Sequence, residues 1–427
     1  MATRSDLINR WRAIVQAGGP QAYINAQLRE HGFLVERRET DGMSPRELKR
    51  YKDELKAEAA ETRRLKQEAW VAYKANHIVH LGENVYYNDA DDWDRWDLDN
   101  AEERAAENDL PPLDGPAQLA EALGISVADL RWFAYHREAA PFVHYQRFTI
   151  PKGNGKERAI WAPMPRLKAI QRWILAEIVE KLPVHGAAHG FLAGRSIATN
   201  AAVHTDSSLI LSMDIEDFFP SVTFGRVKGV FRNAGYREQV ATLLALLCTE
   251  PPREVVEHDG KKFYVALGPR CLPQGAPTSP GITNALCLRL DRRMAGLAAK
   301  AGWRYSRYAD DLTFSFPTRA KQKHQVARML GAVHAIVTEE GFTIHERKTH
   351  IMRQGGQQKV TGLIVNGTGE PRVPRELKRQ VRAAIHNLQS GKGLIEGDFP
   401  ERIIGYASYI HMTDPKLGGA MLAALKR

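Results

Sequence analysis

Cysteine is scarce, with three residues in 427, at 248, 271 and 287. Their spacing makes neither a zinc-ligand pattern nor a disulfide framework, which excludes small stapled scaffolds and thiolate metal domains. Long hydrophobic runs are missing too. The stretch Leu243 to Cys248 falls far short of the roughly 20 apolar residues that span a bilayer, so no membrane partner is expected. The opening Met1-Ala2-Thr3-Arg4-Ser5-Asp6 has no apolar signal core, and the expected location is cytoplasmic. Internal repeats are absent. Acidic residues are concentrated in one place: positions 83–109 hold eleven, against Arg95 and Arg104. That segment carries −9, so the whole chain's +10 leaves +19 for the remainder. Such an excess suits a polyanion, and nucleic acid is the usual one. A chain of this length with 43% hydrophobic residues can bury a large core and should hold two or three domains.

The stretch that organises the chain is Tyr308-Ala309-Asp310-Asp311. Apolar and aromatic side chains alternate on both flanks, Arg304 to Arg307 and Leu312 to Phe316, with the period of two that marks strands. A tight turn at Ala309-Asp310 makes a hairpin with two adjacent carboxylates at its tip. Side-by-side anions repel unless a cation neutralises them. An ordinary surface turn would show the same four residues, so their companions decide between the readings.

One companion is Leu209 to Met213, a short apolar run that reads as a buried strand, with Asp214 where the strand emerges. An ionised aspartate there calls for a partner or a metal. If the strand lies beside the hairpin, Asp214, Asp310 and Asp311 converge into the oxygen-rich surroundings that Mg²⁺ prefers. The other companion is Leu272-Pro273-Gln274-Gly275. Gly275 would let backbone approach a ligand, and Gln274 could hydrogen-bond to it. Ser279 and Pro280 read as the cap and first residue of a helix whose face is Ile282, Leu286, Leu290, Met294 and Leu297.

Asp214 with Phe218-Phe219, then Leu272-Pro273-Gln274-Gly275, then Tyr308-Ala309-Asp310-Asp311, in this order, resembles the palm of reverse transcriptases. More narrowly the chain resembles the bacterial retron type, through Asn200-Ala201-Ala202-Val203-His204 and Val360-Thr361-Gly362. The resemblance runs from about residue 116 to the end. It implies an α+β right-hand polymerase fold: fingers and palm over 116–372, with the palm at roughly 201–227 and 271–372, and a helical thumb over 373–427. Residues 1–115 would be a mainly helical extension with an acidic part. It also implies two Mg²⁺ ions held by Asp214, Asp310 and Asp311, and Arg158 gripping the triphosphate. Phe219 would exclude ribose, Gln274 would contact the nucleotide, and Lys348 would lie near the leaving pyrophosphate, as a general acid or as a generic exposed lysine. Val360, Thr361 and Gly362 would hold the primer end. Asn200 and His204, one helical turn apart, would face the structured RNA, or tie fingers to palm.

The remaining segments are read from pattern. Ser44-Pro45-Arg46-Glu47 is a capping box opening a charged helix to about Ala75. Ser126 to Asp129 is a second box. His77 and His80 lack further ligands and read as structural. The acidic stretch with Trp93 and Trp96 is either a partner-docking loop or a cover for basic surface. Strand-like segments around Gly153-Asn154-Gly155 form a hairpin carrying Lys152, Lys156 and Arg158, the fingers hairpin of the family pattern. A helix covers Leu167–Leu182, and 228–265 ends in a hairpin at Asp259-Gly260. Residues 321–340 are helical, Gly341-Phe342 leads into a strand, and Lys359 to Leu363 reads as one strand. Beyond Val373, Leu377, Val381, Ile385 and Leu388 form an apolar stripe, with Arg375, Lys378, Arg379, Arg382 and His386 largely on other faces, as phosphate tracking needs.

The expected activity is therefore RNA-directed DNA synthesis on a cognate structured noncoding RNA, with deoxynucleoside triphosphates as substrates. The retron resemblance adds a DNA product joined 2′-5′ to that RNA, a separate toxic effector, and defence against phage. The alternatives are an intron-derived or abortive-infection reverse transcriptase, and an RNA-binding scaffold that restrains the effector.

Overall fold

The computed structural model describes residues 4–31, 38–87, 98–151, 157–318, 325–367, 369–394 and 399–425. At its centre is a four-stranded antiparallel sheet in the order Arg304–Tyr308, Asp311–Pro317, Ser207–Asp214, His350–Arg353. The two inner strands pair in a register that sets Leu209, Leu211 and Met213 beside Phe316, Phe314 and Leu312. These six are buried in the main core, on the face covered by helices Thr278–Leu286, Leu288–Ala301 and Val326–Glu339. The alternate residues Ile210, Ser212 and Asp214 stand opposite Ser315, Thr313 and Asp311 on the other face. The inner strands thus separate an apolar face from one that mixes Ile210 with polar and acidic residues, and a slip of one residue would exchange them.

On that second face a smaller core gathers Ala201, Ile210, Val360, Leu363, Val381, Ile385, Ile403 and Ile410. It joins helix Ile197–Ala202 to the C-terminal helices Arg375–Gln389, Pro400–Thr413 and Pro415–Leu425. Away from the sheet, strands Tyr145–Pro151 and Glu157–Pro163 form one hairpin, and Arg253–His258 with Lys261–Ala266 form another. The latter turns at Asp259 and Gly260, both at positive φ. Residues 152–156, including Lys152 and Lys156, lie outside the described residues. The α+β class expected from the sequence is the class observed. Among the described residues no helix is long and apolar enough to cross a membrane.

Three details depart from expectation. The helix after Gln274 starts at Thr278, capped by Pro277 without a side-chain bond, while the Ser279 hydroxyl donates back to the Pro273 carbonyl at 2.8 Å. It then breaks at Cys287 into two helices. The segment Lys359 to Leu363 is not one strand. It is a hairpin of Lys359–Val360 and Leu363–Ile364, because Thr361 (φ 44°) and Gly362 (φ 90°) both take the left-handed conformation of a tight two-residue turn. Finally, the N-terminal region is not wholly apart. Helix Pro45–Asn76 buries none of its residues, yet Ile78, Leu81, Leu110 and Leu113 enter the main core. Of the acidic stretch, residues 88–97 with Trp93 and Trp96 are outside the description, whereas Glu102 pairs with Arg237 at 2.8 Å and Asp109 with Lys181 at 3.5 Å.

The entry of the N-terminal chain depends on Gly82, at φ 108°. The flanking backbone bonds His136 on both sides, His136 N–H to the Leu81 carbonyl at 2.8 Å and Glu83 N–H to the His136 carbonyl at 3.2 Å. A Cβ on residue 82 would stand 1.9 Å from the His136 oxygen. Gly82→Ala should therefore lower stability by about 1–3 kcal/mol and open residues 38–87 to limited proteolysis. A urea midpoint equal to the wild type's would show that this contact is dispensable.

Candidate active site

Asp214 and Asp311 are cross-strand partners in the central sheet, and Asp311 is also paired with Tyr308 across the hairpin. Ala309 takes φ 54° at the turn, a conformation with a steric cost for a residue with a Cβ. The Asp310 carbonyl accepts from Ile215 N–H at 3.0 Å, and the Asp214 carbonyl accepts from His345 N–H at 2.8 Å. Backbone bonds therefore lock the three acidic positions together. Burial raises the Asp310 carboxyl, and Asp214 raises it further. Asp311 is pushed up to about 6, first by burial and then by Asp310 and Asp214. The Lys348 ammonium opposes both shifts, and it lies 2.9 Å from each oxygen of Asp214.

The site thus brings one ammonium to three carboxylates. Among the described residues no three carboxylate, imidazole or thiol groups are grouped as a ready metal cage. The backbone positions converge as expected, but the Asp214 carboxylate is turned to Lys348. The donor chemistry fits a hard divalent ion: oxygen ligands, half-buried, with negative charge left uncompensated.

Behind the turn lies a network that sequence reasoning missed. Arg307 is fully buried and grips Asp291, also fully buried, at 2.8 Å (Nε) and 2.7 Å (Nη2). Its remaining nitrogen donates to the Ala309 carbonyl and to Asn284 Oδ1, both at 3.1 Å. Asn284 in turn donates to the Gly190 carbonyl at 2.8 Å, and the Tyr305 hydroxyl donates to Asp291 at 2.7 Å. Gly190 abuts the turn so closely that a Cβ there would meet Ala309 N at 2.7 Å. The signal was available: Arg307 shares strand parity with Tyr305, on the core side, where a charge requires a buried partner.

The other expected residues divide. Arg158 is exposed on strand Glu157–Pro163, and its charge lowers the Asp310 carboxyl, which puts it within the field of the site. Phe219 is half-buried, 6.5 Å from the Phe191 ring, which in turn lies 6.4 Å from Tyr308. Gln274 bonds through its backbone, its carbonyl accepting from Trp161 N–H at 2.8 Å. The close approach allowed by Gly275 (φ 123°) is to protein, since a Cβ would meet Ile160 at 2.7 Å and the Trp161 oxygen at 2.9 Å. Thr361 donates to the Ile197 carbonyl at 3.1 Å, and Gly362 is backed by the Tyr409 hydroxyl, so the Val360-Thr361-Gly362 turn is wedged between two helices.

Asn200 and His204 require a correction. Both are fully buried. His204 uses Nδ1 on Ser315 Oγ (2.8 Å) and Nε2 on Ser306 Oγ (2.7 Å), while Asn200 accepts from Ser306 Oγ at 2.6 Å. With their polar atoms engaged inside the sheet, these side chains do not face RNA; they fasten the segment from Ile197 to His204 to the hairpin of strands Arg304–Tyr308 and Asp311–Pro317. On helix Arg375–Gln389, Lys378 is tied to Asp414 at 3.1 Å, whereas Arg375, Arg379, Arg382 and His386 are exposed at three- and four-residue steps.

A family model described as reverse transcriptase (RNA-dependent DNA polymerase) matches residues 150–366. Across 98% of the chain, 51% of residues are identical to the retron Mx162 reverse transcriptase of Myxococcus xanthus, covering 88% of that protein. The retron Mx65 reverse transcriptase of the same organism is 43% identical over 75% of the chain and 73% of its own length. The retron Ec86 reverse transcriptase of Escherichia coli is 35% identical, over 72% and 87%.

Two outcomes follow from this geometry. Arg307→Lys keeps a charge for Asp291 but loses the fork that reaches Ala309 and Asn284, so turnover should fall about ten- to a hundredfold with template–primer affinity unchanged. Equal loss in both would make the network a matter of folding alone. The second concerns pH. Because folding raises the Asp311 carboxyl from 3.8 to about 6, its contribution to stability is present at low pH and lost as pH rises between those values. Thermal stabilisation by Mg²⁺ should accordingly be larger above pH 6 than below pH 4, and Asp311→Asn should flatten the difference.

Proposed function

The chain belongs to the retron-type reverse transcriptases and is an RNA-directed DNA polymerase, and from that premise we propose which residues carry the reaction and on what template. Asp214, Asp310 and Asp311 would hold two Mg²⁺ ions, which would supply the charge that activates the attacking primer hydroxyl and stabilises the leaving pyrophosphate. The observation that carries this reading is the register pairing Asp214 with Asp311, with Asp310 at the adjoining turn. Arg158 grips the triphosphate of the incoming nucleotide, a task suited to its bidentate fork. The Phe219 ring blocks a 2′-hydroxyl, so deoxynucleotides are preferred. Lys348, held at Asp214, donates a proton to the departing pyrophosphate. Gln274 contacts the nucleotide, and the turn at Val360, Thr361 and Gly362 supports the primer end.

The template we assign is a cognate structured noncoding RNA, the expectation for a retron-type enzyme; the relatives are themselves retron reverse transcriptases. Synthesis starting at a 2′-hydroxyl of that RNA leaves a branched RNA–DNA hybrid, and the complex works with a separate toxic effector against phage. Support for the RNA grip is the exposed stripe Arg375, Arg379, Arg382 and His386, with Lys378 beside it.

Primer extension on an RNA template tests the chemistry. Asp310→Asn combined with Asp311→Asn should abolish synthesis, and Phe219→Ala should admit ribonucleotides about ten- to a hundredfold better. Unchanged discrimination would remove Phe219 from the role. Arg379→Ala with Arg382→Ala should flatten the fall of RNA affinity with salt. Sequencing the nucleic acid that copurifies should return one RNA joined to DNA; unbranched, heterogeneous RNA would contradict the template assignment.

A further inference from the structure

Lined by none of the residues of the aspartate site, a cavity of about 410 Å³ lies between helix Val127–Ala134 and the loop after Ala140. Its rim carries two large rings that the described residues leave half exposed: Trp132 at 46% and Phe142 at 50%. The rings lie within 11° of parallel with centroids 5.9 Å apart. His144 braces both edge-on, at 4.3 and 5.4 Å, and its Nε2–H donates to the Trp132 carbonyl at 3.1 Å, so the pair is held rather than free to collapse inward. Exposed indole and phenyl faces lose hydration free energy, and a soluble fold that fixes them outward leaves a surface suited to a flat ligand.

The charge around them identifies which flat ligand. Arg131 and Arg137 flank Tyr135, with guanidinium carbons 4.8 and 5.1 Å from its ring. Arg166 lies 5.8 Å from the Trp132 ring and shares its charge with Asp129. Beneath, the buried floor is two arginines to one glutamate: Arg253 meets Glu250 at 2.6 Å and Arg270 meets it at 3.6 Å. The pocket is thus aromatic at its rim and net positive. An apolar protein helix would find no reason for the arginines, and a bare phosphate none for the rings. Unpaired nucleotides satisfy both, with bases on the rings and phosphates at the guanidiniums.

We infer that Trp132, Phe142 and the arginines around Tyr135 form a second nucleic-acid site, a stacking platform for unpaired bases of RNA outside the polymerase cleft. The inference builds on the reading of this chain as an RNA-copying enzyme, but its test does not require synthesis. Base stacking tolerates any sequence, so the platform would select single-stranded over duplex segments rather than one sequence over another. It would hold a loop or strand end of the template RNA while the carboxylate site copies another part.

The full chain carrying Asp310→Asn and Asp311→Asn is titrated with two fluorescent probes, an unstructured RNA oligonucleotide and a blunt RNA duplex. Added to that background, Trp132→Ala and Phe142→Ala should each weaken the single-stranded probe about fivefold or more and leave the duplex unchanged. Trp132→Phe should restore most of the loss, which separates stacking from misfolding. The loss should persist at high salt, whereas Arg137→Ala should lose its effect there. Equal weakening of both probes, or no weakening of either, would overturn the platform; the latter result with a normal salt slope would leave the patch to a protein. Primer extension by the wild type on the same RNA separately tests the polymerase reading, so a failure of one is not a failure of the other.

Discussion

Everything at the centre of this molecule depends on holding acidic side chains together against their own repulsion. Asp214 and Asp311 are opposite residues of paired strands, and Asp310 sits at the turn that joins Asp311 to its neighbour. Like charges opposed across a sheet are unfavourable, and burial makes them more so, as the raised Asp311 carboxyl records. The opposing force comes from the core side of the same sheet. There Leu312, Phe314 and Phe316 are sealed, and the Arg307–Asp291 pair fixes the Ala309 carbonyl. Breaking that pair would strand a buried charge, at a cost of about 3–5 kcal/mol. The hydrophobic register thus enforces a geometry that electrostatics alone would reject, and Lys348 relieves part of it.

The strain is local and shared. Ala309 and Phe191 both take positive φ, and the two segments touch where Gly190 meets the turn. Asn284 ties one strand of this contact to the other through Gly190 and Arg307. A site built this way resists relaxation because moving either segment costs buried hydrogen bonds in the other. The helix that follows Gly275 contributes Asn284, which gives the Leu272-Pro273-Gln274-Gly275 segment a structural reason to sit where it does: it docks strand Glu157–Pro163 through Trp161 while its helix braces the turn.

Much of this was legible in the chain. Period-two alternation located the hairpin at 304–316, and a short apolar run located the strand ending at Asp214, because the core-side residues of these strands are mostly apolar. The Asp259-Gly260 turn and the Ser44 cap were equally readable, since their conformations are set by local chemistry. What escaped were pairings between distant segments. Asn200 and His204 have polar side chains that look available, and only the fold reveals Ser306 and Ser315 waiting inside. Gly275 announces a close approach without naming its object, which is the Trp161 backbone. Thr361 gave no warning of a positive φ, because a β-branched residue rarely adopts one. The burial of Ile78 and Leu81 in the main core was hidden by the exposed, charged helix before them.

The most direct test of the central claim is a count of bound cations. Mn²⁺, followed by electron paramagnetic resonance in the presence of an RNA template, a primer and a chain-terminating deoxynucleotide, should reach about two ions per chain. Asp311→Asn should lose at least one of them. A wild type that binds no ion under these conditions, or a variant that binds the full number, would contradict the account.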